Sequence, residues 1–157
     1  MDRIRRIRKT EKHHNFTLVC SDLSEISLYA RVENWAYRLM KSLTPGPYTF
    51  ILEATREVPK RLQNPKRRTI GLRVPDNPIV HAMLAALGEP IMSSTLMLPG
   101  DQLPLTNAAE IEERIGNQIE LIVDGGPAGI EPTSVIDLSG GSVEILRVGR
   151  GDVSALT

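Results

Sequence analysis

Hydrophobic and polar positions alternate with changing period along the chain, and that change of period divides it into short helices and strands. Ile4 and Ile7 stand three apart among arginines, one apolar stripe on a polar helix at the start. Phe16–Cys20 is a short apolar run of the buried-strand kind. Ser21 and Asp22 offer N-cap chemistry for a short helix running through Tyr29. Val32, Trp35, Ala36, Leu39 and Leu43 then follow helical spacing as far as Pro45-Gly46-Pro47, which no helix traverses. Tyr48–Ala54 and Arg68–Val74 read as strands around a short basic segment, 59–67. Asn77 before Pro78 is a cap followed by a first-turn proline; Val80, Met83, Leu84 and Leu87 form the apolar face, and Gly88 is the stop. Ile91–Leu98 reads as a strand entering the Pro99-Gly100-Asp101 turn. Thr106 or Asn107 caps a helix over Ala108–Ile115, and Ile119–Asp124, Thr133–Leu138 and Val143–Val148 are expected as three closing strands. Interleaved helices and strands predict an α/β sandwich around a mixed sheet, one domain over residues 1–157.

Composition narrows the classes. Apolar residues make up 41% and charged residues 24%, a globular balance that excludes disordered, collagenous and coiled-coil chains. There is no run of ~18 apolar residues and no apolar core in the first twelve positions, so neither a membrane span nor a signal peptide is expected. One cysteine makes no internal disulfide, and the expected location is the cytoplasm. The net charge of zero conceals a polarity. Residues 1–73 carry 16 basic and 7 acidic side chains (+9), whereas residues 74–157 carry 3 and 12 (−9). Such an asymmetry offers an electropositive surface to anionic ligands, or else the halves neutralise each other across the fold.

The chemistry-bearing residues lie at strand ends and turns, where α/β proteins place their sites. No P-loop and no G-x-G-x-x-G fingerprint occurs. His13 and His14 are chain neighbours, which rarely aim at one metal, and His81 is the only other histidine, so no metal centre is expected. Cys20 reads as a small core residue. Six aromatics give little support for a base-stacking platform. What remains is Arg6 and Arg8, Thr49 after the Pro-Gly-Pro turn, Arg73 before Pro75, and the hydroxyl run Ser93-Ser94-Thr95. Thr133 and Ser134 follow a glycine-rich loop, and Arg147 stands in the acidic half. Arginine forks suit phosphate or carboxylate, each charge-assisted bond contributing ~1.5–3 kcal/mol.

In order, these residues resemble the YrdC family of threonylcarbamoyl-adenylate synthases, and more closely its YciO-type branch. The parallels are R-I-R (Arg6–Arg8) then H-N-F-T-L (His14–Leu18), P-G-P-Y-T-F-I-L (Pro45–Leu52) and K-R-R-T-I-G-L-R-V-P-D-N-P (Lys66–Pro78). They continue with A-L-G-E-P-I-M-S-S-T-L-M-L-P-G (Ala86–Gly100), D-G-G-P-A-G-I-E-P-T-S-V-I-D-L (Asp124–Leu138) and I-L-R-V-G-R-G-D (Ile145–Asp152). The resemblance implies a three-layer α/β fold whose twisted mixed sheet lines a basic concave face. It implies ATP as substrate, with Mg2+ and no protein-bound metal cluster. L-threonine and bicarbonate are the co-substrates, giving threonylcarbamoyl-AMP and pyrophosphate for tRNA modification. Double-stranded RNA or tRNA is a further implied partner, and a non-catalytic RNA-binding module is the competing function.

Carried over residue by residue, the resemblance gives catalytic roles to Arg6, Arg8, Ser93 and Thr95. It gives nucleotide or substrate binding to Thr49, Arg73, Thr133, Ser134 and Arg147. Two departures stand out: Arg6 replaces a lysine, exchanging a point charge for a fork, and Thr95 replaces an asparagine, losing an amide. Both bear on the efficiency of synthesis and leave nucleotide binding in place. The family also begins with a strand and a P-T-D-T-x-Y-G-L-G-like segment, whereas this sequence opens in the helix that follows. The expectations are a start at an internal methionine or, for a naturally short chain, an open sheet edge that pairs with another copy.

Overall fold

The computed structural model describes residues 1–10 and 15–156, and the chain forms two compact units: 15–93 with 132–157, and 1–14 with 94–131. The His13-His14 pair lies outside the described residues.

The first unit holds a six-stranded mixed sheet. Its strands are β1 (Thr17–Val19), β2 (Tyr48–Glu53), β3 (Thr69–Arg73), β4 (Ile91–Ser93), β5 (Ser134–Asp137) and β6 (Glu144–Arg147), in the order β4-β1-β3-β2-β5-β6. β1 and β3 are parallel, as are β2 and β5; the remaining pairs are antiparallel. One row across the sheet joins Met92, Leu18, Leu72, Phe50, Ile136 and Ile145. Leu18, Leu72, Phe50 and Ile136 in it are buried in the main core, together with residues of helices α2 (Leu23–Tyr29) and α3 (Asn34–Leu43). Ile26, Met40 and Phe50 are fully enclosed. Each such side chain contributes about 1.5–3 kcal/mol by leaving water.

Local chemistry explains the helix ends. Asp22 caps α2 by accepting from Glu25 N at 2.9 Å, while the Glu25 carboxylate accepts from Ser21 N at 2.9 Å. Helix α4 (Pro78–Leu87) starts and stops as its sequence predicts: Asn77 Oδ1 accepts from Ile79 N and Val80 N at 3.0 and 3.1 Å, and Gly88 takes the left-handed φ of 76° that ends it.

The second unit contains helices α1 (Asp2–Arg8) and α5 (Ala108–Ile115), the latter capped by Asn107 Oδ1. Leu98 and Ile115 are its buried apolar side chains, and Arg114 binds Asp101 through two nitrogens at 2.6 and 3.2 Å. Two expected strands differ here. Ile91–Leu98 forms a strand only over Ile91–Ser93, because the neighbouring β1 is three residues long and offers nothing further to pair with. Ile119–Asp124 forms no strand: none of its backbone groups bonds to another backbone group among the described residues. An apolar run prepares a segment for a sheet, but a neighbour must supply the ladder. Among the described residues no helix is long and apolar enough to cross a membrane.

Candidate anion-binding site

The sheet has a second face, and at one end of it polar side chains gather. Val19 pairs with Arg73, Thr49 with Val135, and Val135 with Arg147. Phe50 pairs with Leu72, so the next step along that antiparallel register sets Thr49 beside Arg73. The row Val19, Arg73, Thr49, Val135, Arg147 therefore crosses one end of the sheet, one residue out from the apolar row and facing the other way. That end holds the C-termini of β1 and β3 and the N-termini of β2 and β5.

Arg73 is the distinctive member. It is half-buried, its Nε is enclosed with no hydrogen-bond acceptor, and no ion pair to it occurs among the described residues. Burial lowers its guanidinium pKa below the ordinary arginine value, and nothing charged nearby offsets the shift. The group nevertheless keeps its proton at any physiological pH. A partly desolvated cation without a counter-ion is costly, and an anion seated against it removes that cost.

Hydroxyls flank it. Thr49 Oγ1 and Thr133 Oγ1 share a hydrogen bond of 2.8 Å. Arg147 donates from Nε to the Thr133 carbonyl at 3.0 Å and from Nη2 to Thr133 Oγ1 at 3.2 Å. Arg147 is exposed and otherwise open to solvent. Between Thr17 and Thr49 lies Gly71, where a Cβ would meet Thr49 Cγ2 at 3.4 Å and Thr17 Oγ1 at 3.5 Å. The missing side chain keeps this part of the polar face uncovered. Sequence reasoning passed over Gly71 and Thr17, although a glycine inside a strand is itself the signal for close approach.

Ser134 lies apart from this cluster. Its side chain points to the opposite face from Thr133 and is fully buried. Its Oγ donates to the Gly151 carbonyl at 2.6 Å and accepts from Gly149 N at 2.9 Å. It is spent holding the turn after β6, where Tyr48 Oη also donates to the Asp152 carbonyl at 2.9 Å. Gly149 and Gly151 are required there, since a Cβ would strike the Pro132 carbonyl or the Tyr48 ring. Ser93 likewise donates to the Thr17 carbonyl at 3.2 Å.

The other expected residues lie in the second unit. Arg8 donates from Nε to the Met97 carbonyl at 3.1 Å and from Nη1 to Ser94 Oγ at 2.5 Å. Ser94, a member of the candidate run to which the resemblance gave no role, is therefore a hydroxyl of 93–95 that meets an arginine. Thr95 and Arg6 are exposed, and Arg6 and Arg8 diverge around the helix as a two-residue spacing requires. Cys20 is fully buried, and burial with the charges of Glu25 and Asp22 pushes its thiol up to about 12, so it is inert at neutral pH. His81 Nε2 is engaged by the Pro75 carbonyl at 2.6 Å. No group of three metal-ligating side chains occurs among the described residues.

Comparison with known proteins gives the family. Residues 1–149 match the model of the Sua5/YciO/YrdC family, described as "Telomere recombination". The chain belongs to that family. A Haemophilus influenzae protein is 57% identical over 155 residues, covering 98% of this chain and 75% of the relative. The YciO protein of Escherichia coli is 54% identical over 153 residues, covering 98% and 74%. The threonylcarbamoyl-AMP synthase of Vibrio campbellii is 34% identical over 106 residues, 67% of this chain and 55% of that enzyme. Among solved structures, E. coli YciO matches with a TM-score of 0.93 at 53% identity, covering 100% of this chain and 76% of that one. P. abyssi Sua5 complexed with L-threonine matches in fold, with a TM-score of 0.85 at 24% identity over 94% of this chain and 44% of that one. Family membership supports nucleotide binding as the general class of activity.

Proposed function

We propose that this chain binds ATP and acts as a threonylcarbamoyl-AMP synthase-like enzyme. The observation that carries the reading is Arg73, a partly buried cation with an unpartnered Nε beside the Thr49–Thr133–Arg147 hydroxyl and guanidinium cluster. A triphosphate brings the charge that this row lacks, with Mg2+ carried in on the nucleotide. The V. campbellii relative is named for the reaction, and the P. abyssi relative was crystallised with L-threonine.

In the proposed reaction the threonine amine bonds to the bicarbonate carbon with loss of water, giving a carbamate. A carbamate oxygen then attacks the α-phosphorus of ATP, and the bond to pyrophosphate breaks. The protein's part is positional and electrostatic. Arg73 and Arg147 neutralise phosphate oxygens, and Thr49 and Thr133 hold the phosphate or amino acid by their hydroxyls. In the second unit Arg8 is fixed by Ser94 and Met97, and Arg6, Arg8 and Thr95 are the residues to which the family resemblance assigns catalytic roles.

Pyrophosphate release from ATP, measured with and without L-threonine and bicarbonate, tests the proposal. Release that requires both co-substrates is expected. Release from ATP alone, or none from protein that binds ATP, would remove the synthase assignment. Duplex RNA binding that falls steeply with salt and is indifferent to Arg73→Ala would favour an RNA-binding module instead.

A further inference from the structure

The fold does not require a glycine at position 71. Gly71 sits inside β3, paired with Thr17 on one side and Ile51 on the other, and its backbone is outside the left-handed region that favours glycine. A Cβ there would make ordinary contacts, at 3.4 Å to Thr49 Cγ2, 3.5 Å to Thr17 Oγ1 and 3.8 Å to Thr17 Cγ2. An alanine would hold the strand better, since glycine weakens a strand interior and packs against nothing. What the glycine leaves is a shallow recess in the polar face, floored by backbone and lined by one hydroxyl and two methyl groups. Thr17 Oγ1 has no hydrogen-bond partner among the described residues, while the Thr17 carbonyl accepts from Ser93 Oγ at 3.2 Å. Arg73, with its unpartnered Nε, stands two residues along the same face of β3, about 6.6 Å away. A free hydroxyl, a bare stretch of strand and a cation without a counter-ion therefore lie side by side.

We propose that the recess over Gly71 is a second, uncharged subsite, which receives a hydroxyl-bearing group adjoining the phosphate held at Arg73. The phosphate is that of the function proposed above, on which this subsite rests. The group lies flat on the Gly71 backbone, with its hydroxyl paired to Thr17 Oγ1 and its carbons against the methyl groups of Thr17 and Thr49. Two ligands carry such a group, ATP in its sugar and L-threonine in its side chain. A side chain at position 71 would occupy the space that either one needs.

The test titrates the full chain and its Gly71→Val, Gly71→Ala and Thr17→Val variants with ATP, with inorganic triphosphate, and with L-threonine in the presence of ATP, read by calorimetry. Inorganic triphosphate reports the phosphate position alone and is expected to bind all four proteins alike. Gly71→Val is expected to weaken one organic ligand by about tenfold or more. A loss for ATP assigns the recess to the sugar, and a loss confined to L-threonine assigns it to the amino acid. Thr17→Val, which keeps the shape and removes the hydroxyl, is expected to weaken the same ligand by about three- to tenfold. Gly71→Ala is expected to melt at a higher temperature than the wild type while binding that ligand more weakly, which separates filled space from a lost fold. Unchanged affinity of every variant for ATP and L-threonine would overturn the subsite alone, as would an equal loss of triphosphate and ATP. Wild-type protein that binds neither ATP nor triphosphate would overturn the proposed function, and the subsite with it.

Discussion

Two arginines flank strand β3, and they have opposite surroundings. Arg67, just before the strand, donates from Nη2 to Asp137 Oδ2 at 2.7 Å and to Ser139 Oγ at 3.1 Å. Asp137 is itself buried, yet it also accepts from Ser139 N and Ser139 Oγ at 2.9 and 2.6 Å. Burial pushes that carboxyl up, but the bonds from Ser139 and Arg67 outweigh it and hold the carboxyl below the usual aspartate value. Arg73, at the other end of the same strand, is more deeply placed and has no carboxylate partner among the described residues. One end of the sheet is electrostatically complete and serves stability. The other is left open, and a protein keeps such a charge where a ligand completes it.

Arg73→Ala sharpens this contrast most strongly. It should weaken ATP binding by roughly thirty-fold or more, the loss of one or two charge-assisted bonds, without lowering the melting temperature. Calorimetric titration and a thermal melt read the two effects separately. Equal loss from Arg38→Ala, which removes an exposed helix arginine, would mean a diffuse basic field and would dissolve the comparison.

Asp137→Asn acts at the closed end. It should cost about 1–3 kcal/mol of stability by urea denaturation and leave ATP affinity unchanged. Because the folded pKa is depressed, the carboxylate's contribution is complete above pH ~4 and is lost as the pH falls through the folded value. Wild-type stability should therefore decline below about pH 4 more steeply than that of the variant, an acid melting series being the check.

Smaller effects follow from exposure. Arg147→Ala should reduce ATP affinity by about three- to tenfold, since its guanidinium is solvated and shares its bonds with Thr133. Arg67→Ala should cost about 1 kcal/mol of stability, because it removes the donor to Asp137 Oδ2 at a place where the Arg67 side chain is 53% exposed, while Ser139 still bonds Oδ1.

The legible parts of the molecule are those whose signals are local. Asn77-Pro78 and Gly88 delimit α4 because caps act within a single turn. Thr49, Arg73 and Arg147 were legible as strand-end residues, and the register brings them into one row. What stayed hidden depends on neighbours distant in sequence. Ile119–Asp124 has the apolar content of a strand, but whether a neighbour supplies a ladder is not written in its own residues. Thr133 and Ser134 look equivalent in sequence, yet strand alternation sends one to the polar face and the other into the 149–151 turn. Ser94 was legible only as one of three hydroxyls in a row, because only tertiary structure shows which of them meets Arg8.

The most direct measurement is the nitrogen and proton resonance of the Arg73 Nε–H group during an ATP titration, with Arg67 Nε–H as internal reference. The account predicts a saturable downfield shift and slowed solvent exchange at Arg73, with Arg67 unmoved. ATP that binds while the Arg73 resonance stays in place would contradict it.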